Sequence, residues 1–440
     1  MSGFTKAVNL NIARIIYPTS GRDTKESKFP LCFFLHTILL FNGDYMISQH
    51  IDKITGSPTM AVAAKAKNLQ AQGIEIIDLS VGEPDFPTPD NVKDAAVKAI
   101  AANHTKYTIN AGLPALRKAV AESINAKYGL DYTPAEVIIS SGAKHSLFNL
   151  ISALIYIDDE VIIPAPYWVS YPEMVTLAHG KSVILETSAE SGFKINPADL
   201  EKAITPKTKL LVLCNPSNPT GTTYTRDELL AIANIVKKAG IFVVSDEIYS
   251  ELVYDGMDNT CFATLLPELR NKTILVNGVS KSHAMTGWRI GWTLAPEPIV
   301  KAMDKLQSHS TSNAASISQY AALEAVVGPQ DSVRAMQSEF EKRRDYFFDA
   351  LTAMKEFKGV KPQGAFYLFL DVSAFFGKSF NGTAINNSID VAMFLLNEAN
   401  VAAVPGSAFG AEGFMRFSYA TSMENLQKAI AKIKAAIAKL

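Results

Sequence analysis

Four stretches of the 440-residue chain place reactive side chains just past short apolar runs. After TILVNGVS stands Lys281, next to Ser280 and eight positions before Arg289 in a segment containing Gly287, Trp288 and Gly291. After IFVVS stands Asp246, followed by Glu247, Ile248 and Tyr249; after KLLVLC comes NPSNPTG, which holds Asn218. After EVIIS come Ser141, Gly142, Ala143, Lys144 and His145, which open a helical pattern. Singly, each has a plain reading: a solvated lysine, a hydrated carboxylate, a turn, an ordinary strand-to-helix junction. Together they offer an amine that condenses with an aldehyde, a carboxylate for a cationic ring nitrogen, and main-chain donors with an arginine for a phosphate. Those are the parts that pyridoxal 5'-phosphate requires.

The elements that must position these residues are legible in the middle of the chain. EVIIS, EVIIPAP, SVILET, KLLVLC, IFVVSDE and TILVNGVS are short apolar runs separated by amphipathic helical stretches such as DELLAIANIVKKAG. That alternation predicts a mostly parallel sheet covered on both faces, with ligands outside the carboxyl ends of its strands. From about Asp331 the texture changes to a long charged helix and then to GAFYLFLDV, VAAVPGSAF and FMRFSYA, which read as a smaller α+β lobe joined by the segment after Met46. The basic amphipathic KAIAKIKAAIAKL is expected to pack on that lobe rather than on a membrane surface.

Composition excludes several other classes. Lys+Arg is 42 against Asp+Glu 43, so there is no basic excess for nucleic acid or an acidic membrane. Cys32, Cys214 and Cys261 give neither a disulfide framework nor a zinc spacing, which favours a cytoplasmic setting and no metal. With 48% hydrophobic residues the chain can build two lobes. Phe29 to Phe41 is an apolar run too short for the ~20 residues of a membrane span, and no cleavage pattern follows it. Residues 1–50 are therefore expected to be a disordered or non-native extension of a chain that starts at Met46.

NPSNPTG, VVSDEIY, VSKSHAMTGWRIGW and MRFSYATS, in this order and spacing, resemble the fold-type I pyridoxal-phosphate aminotransferases, and within them the bacterial-type aspartate aminotransferases and aspartate/prephenate aminotransferases. The resemblance covers about Ile51 to Leu440. It implies a large α/β cofactor domain over 91–324, with a mostly parallel seven-stranded sheet flanked by helices, and a smaller α+β domain built from 51–90 and 325–440. It further implies that Lys281 binds the cofactor covalently and shuttles the substrate proton, that Asp246 pairs with the ring nitrogen, and that Tyr249 and Asn218 bond the ring's phenolic oxygen. Trp168 would stack on the ring. Gly142, Ala143 and Lys144, with Ser280 and Arg289, would hold the phosphate, and Tyr107 would reach the phosphate of a neighbouring subunit, so that the active sites exist only in a homodimer.

On the substrate side, the resemblance assigns Arg416 to the α-carboxylate, a use that suits a planar fork between apolar Met415 and Phe417. Gly82 in VGEPDF lets the backbone approach that carboxylate, while Lys144 and Thr59 meet the side-chain carboxylate. The implied reaction is ping-pong transfer of the amino group of L-aspartate to 2-oxoglutarate. A shifted proline in Gly56-Ser57-Pro58-Thr59 and His145 in place of a common glutamine depart from the pattern and bear on side-chain selectivity. An aspartate/prephenate or aromatic aminotransferase stays open. A carbon–sulfur β-lyase would need another fate for the carbanion, a regulator would need a DNA-binding segment, and a dehydrogenase would need a G-x-G-x-x-G after a strand.

Overall fold

The computed structural model describes residues 48, 51–54 and 60–440. The expectations for the apolar run at 29–41, the start at Met46 and Thr59 lie outside the described residues. The apolar runs become a seven-stranded sheet: β1 Val137–Ser140, β2 Glu160–Pro164, β3 Lys181–Leu185, β4 Thr208–Cys214, β5 Phe242–Asp246, β6 Thr273–Gly278 and β7 Gly291–Leu294. Their spatial order is β1-β7-β6-β5-β4-β2-β3. Only β7 runs against its neighbours β1 and β6; every other pair is parallel. The fold class is the one expected.

Strand side chains alternate between faces, and both faces are covered. Leu210 and Val212 of β4 pack with α1 (Ala143–Leu154), α2 (Ser170–Leu177) and α4 (Glu297–Ser308). Leu211 and Leu213 pack instead with α3 (Arg226–Ala239). The sequence sets the bounds of α3: Thr225 and Glu228 form a reciprocal capping box at its start, and Gly240 ends it in a left-handed conformation at φ 68°.

The second core gathers residues far apart in the chain. Val62, Ala66, Ile77 and Leu79 share a buried cluster with Phe340 and Phe347 of α5 (Asp331–Thr352) and with Tyr367, Phe417 and Ile433. Its antiparallel sheet pairs β8 (Tyr367–Asp371) with β10 (Phe414–Ser418), which in turn pairs with β9 (Val404–Pro405). The last helix, α6 (Met423–Ile437), buries Leu426, Ala429, Ile433 and Ala436, so its apolar stripe is spent on this core. No helix among the described residues is long and apolar enough to cross a membrane.

Candidate active site

Because β1, β2, β4, β5 and β6 point the same way, the residues after each strand converge on one edge of the sheet. There a cavity of about 600 Å³ is lined by Lys281, Asp246, Tyr249, Asn218, Trp168, Ala143, Lys144, Ser280, Arg289, Gly82 and Arg416. Arg416 comes from β10 of the other core, opposite Phe369 and Val404 in register. Gly142, which is not in the lining, is the N-cap residue of α1, next to Ala143, which is.

One end of the cavity is built from main chain. Gly142 has φ +91°, and a Cβ there would lie 2.5 Å from Arg289 Nη2. A Cβ at Gly291 would lie 2.3 Å from the Ala143 nitrogen, and one at Gly278 would meet the Gly291 Cα at 2.9 Å. Two adjacent glycines thus let β6 and β7 come up under the helix start, where the first-turn N–H groups and the positive end of the helix dipole face outward. Arg289, itself left-handed at φ 57°, donates to Thr286 O at 2.8 Å and Ser141 O at 3.3 Å, which holds its guanidinium beside that helix start. His145 Nδ1 accepts from the Ser141 N–H at 3.2 Å.

The end around Asp246 is buried and polar. Asp246 is 3% exposed, accepts from the Tyr171 hydroxyl at 2.6 Å and from the Ile248 N–H at 3.2 Å, and burial lifts its carboxyl to about 6. Tyr249 and Tyr367 share a hydrogen bond of 2.9 Å. Trp168 presents its ring to Lys144, whose Nζ lies 4.9 Å from the ring centroid. Burial, and after it Arg289, holds the Lys144 amine below its ordinary value.

Lys281 donates to the Gly82 carbonyl at 2.5 Å, and burial brings its amine down to about 8, with Glu83 the largest influence in the other direction. A lysine near neutrality at pH 8 can act as nucleophile and base. The segment over it is tied to the lysine loop at several points. Thr286 donates to Glu83 at 2.6 Å, Thr88 donates to the Ala284 carbonyl at 2.8 Å, and the Trp288 indole donates to Thr88 at 3.0 Å.

Arg416 donates to Asn218 Oδ1 at 3.0 Å and to the Ser80 carbonyl at 2.7 Å, and its buried Nε has no hydrogen-bond partner among the described residues. An arginine so placed is ready for an anion. A helix-start cradle that side chains would fill, a buried carboxylate with no ion pair among the described residues, and a lysine of lowered basicity fit pyridoxal phosphate in each of its three parts.

Thr59 is not among the described residues, and Tyr107 is 90% exposed and outside the lining of this chain's own cavity, as a residue that serves a neighbouring subunit would be. Sequence reading missed Tyr171 and Tyr367, which bond the two functional groups at the cavity floor. Tyr171 stands three positions after Trp168, and the two rings meet edge-on with centres 5.3 Å apart.

The chain matches the model of the family described as aminotransferase class I and II over residues 74–433. An aspartate aminotransferase from a Bacillus species (strain YM-2) is 48% identical over 388 residues, 88% of this chain and 98% of that protein. A probable aspartate/prephenate aminotransferase from Rickettsia bellii is 47% identical, covering 90% of this chain and 100% of that protein. The crystal structure of an aspartate aminotransferase from Rhizobium meliloti matches with a TM-score of 0.88 at 40% identity, over 90% of this chain and all 100% of that one.

Proposed function

The chain belongs to the class I and II aminotransferases, and from this we propose that it is a pyridoxal-phosphate-dependent aspartate aminotransferase that moves the amino group of L-aspartate to 2-oxoglutarate, giving oxaloacetate and L-glutamate. The observation that carries the reading is the meeting of Lys281, Asp246 and Arg416, from three distant segments, on one cavity.

When bound, the cofactor supplies an electrophilic aldehyde and a ring that accepts the electron pair released at the substrate Cα. Lys281 would anchor the cofactor and, once the substrate amine has displaced it, its freed amine would carry a proton to and from the substrate Cα; its lowered basicity suits both directions near neutral pH. Asp246 keeps a proton on the ring nitrogen, and a carboxylate with so little water around it interacts strongly with that cation. Tyr249 and Asn218 would bond the ring's phenolic oxygen, and Trp168 would stack on the ring. Gly142, Ala143, Lys144, Ser280 and Arg289 hold the phosphate, joined by Tyr107 from the neighbouring subunit of a homodimer.

Arg416 exchanges its bonds to Asn218 and Ser80 for the two oxygens of the substrate α-carboxylate, beside Gly82. Lys144 and Thr59 recognise the side-chain carboxylate. We assign 91–324 to the cofactor domain, 51–90 and 325–440 to the small domain, and the protein to the cytoplasm. The aspartate/prephenate relatives support a second reading in which prephenate is also an acceptor.

The test is a panel of amino donors and oxo-acid acceptors, prephenate and cystathionine included, scored by kcat/KM on purified protein. Aspartate with 2-oxoglutarate should lead, and Lys281→Ala should abolish both turnover and the visible absorbance of bound cofactor. A variant that keeps both removes Lys281 from its role, and pyruvate release from cystathionine as the leading activity would make the protein a lyase.

A further inference from the structure

The turn after Ser80 is gripped on two sides. Its inner side faces the cavity, where the Gly82 carbonyl accepts from Lys281 and Glu83 accepts from Thr286. Its outer side faces α5, where Arg343 Nη1 donates to Asp85 Oδ1 at 2.7 Å. The Arg343 guanidinium lies 4.9 Å from the centre of the Phe86 ring, and its Nε donates to Glu339, four residues back on the same helix, at 3.0 Å. Phe86 meets Phe340 edge-on with ring centres 5.4 Å apart. Arg343 is only 7% exposed, and neither it nor Asp85 lines the cavity.

An arginine bonded at two nitrogens and laid against an aromatic ring has a fixed direction, which a lysine in its place would not have. The arm from Asp85 to Gly82 is short and contains Pro84, with Pro87 and Pro89 just beyond. Proline locks φ, so a displacement at Asp85 is passed along the turn rather than absorbed by it.

We propose that Arg343 is a positioning residue: by holding Asp85 and Phe86 it fixes the Gly82–Asp85 turn, so that the Gly82 carbonyl meets the Lys281 amine and Glu83 stays on Thr286. This rests on the reading of Lys281 as the cofactor anchor. Glu83 is the group that most opposes the loss of basicity at Lys281, so loosening the turn makes the amine less basic.

The experiment uses the full chain with Arg343→Met, Asp85→Asn, both together, and Arg343→Lys. Two quantities are read: the pH dependence of acylation of Lys281 in cofactor-free protein, followed by peptide mass, and kcat and KM for aspartate in the loaded enzyme. Each of the first two variants should lower the acylation midpoint by about half a pH unit. Each should also raise KM about tenfold with a smaller change in kcat, short of the roughly 10²-fold cost of misplacing a reacting group by 1 Å. The double variant should be no worse than the worse single, because one link cannot be broken twice. Arg343→Lys should restore part of the midpoint. An unchanged midpoint in the single variants, or losses that add in the double, overturns the proposal; if Arg343→Met fails to fold, Asp85→Asn is read by the same midpoint. If Lys281→Ala retained turnover, the reading of the site would fail while the acylation midpoints still reported on the turn.

Discussion

Tyr171 and Asp246 meet at the floor of the cavity, the phenol of a helix donating at 2.6 Å to a carboxylate at the end of a strand 75 residues on. The Tyr171 hydroxyl is the side-chain donor that works against burial in setting the acidity of Asp246. Burial pushes the Tyr171 hydroxyl itself well up, so it stays protonated and remains a donor throughout the working range.

Tyr171→Phe should therefore raise the Asp246 carboxyl further and move the acid limb of the kcat/KM profile to higher pH. A hydrogen bond to a charged group is worth ~1.5–3 kcal/mol, so the limb should move by about one to two units. A pH–rate profile checks this; a limb in its original place would show that Asp246 does not set it.

Lys281 gives a stability prediction whose sign is fixed. In cofactor-free protein its amine falls from 10.5 to about 8. Below pH 8 both folded and unfolded chains carry the proton, and burying that charge costs folding free energy. Between pH 8 and 10.5 the unfolded chain binds the proton and the folded one does not, so stability rises with pH across that window. The whole shift corresponds to about 3 kcal/mol. Cofactor-free Lys281→Met should be the more stable protein at pH 7 and lose that advantage by pH 10.5. Urea midpoints at the two pH values measure it, and a constant difference would argue that the charge is not the cause.

Lys144 faces the cavity from an exposed position, with its amine beside the Trp168 ring. Lys144→Ala should lower kcat/KM for aspartate by roughly 10- to 100-fold, the worth of one charge-assisted hydrogen bond, while phenylalanine and alanine change much less. Equal losses for all three donors would move Lys144 out of side-chain recognition.

Gly291→Ala and Gly142→Ala should both damage cofactor affinity, the first through a clash with main chain and the second also through backbone strain at φ +91°. The Cβ at Gly291 meets main chain of the helix start, whereas that at Gly142 meets the end of a flexible arginine. Overpacking of this kind typically costs ~1–3 kcal/mol, so cofactor affinity should fall by roughly 5- to 100-fold. Titration of each variant with pyridoxal phosphate, followed by absorbance, measures both losses.

The strands were legible because each is an apolar run with a turn signal after it, and Lys281, Asp246 and Asn218 were legible because they stand just past such runs. β7 was not: Gly291 to Leu294 is four residues, too few to show a period, and it follows a loop whose glycine and tryptophan drew attention for other reasons. Tyr171 was not legible: its helix buries it beside Met174 and Val175, and a hydroxyl on a buried ring carries no mark in a hydropathy pattern. Arg343 was hidden in the charged face of a long helix. Its partner Asp85 lies 258 residues away, and no local pattern connects them.

The seat beneath the helix start is made of peptide backbone and of the space that missing side chains leave. Such a seat offers a protein engineer almost nothing to exchange: every residue that could be introduced there adds bulk where none fits. Attempts to widen or redirect the repertoire of this catalyst will find their freedom on the opposite wall, among the side chains of β8, β10 and the turn that bears Gly82, with the vitamin-derived anchor left as a constant.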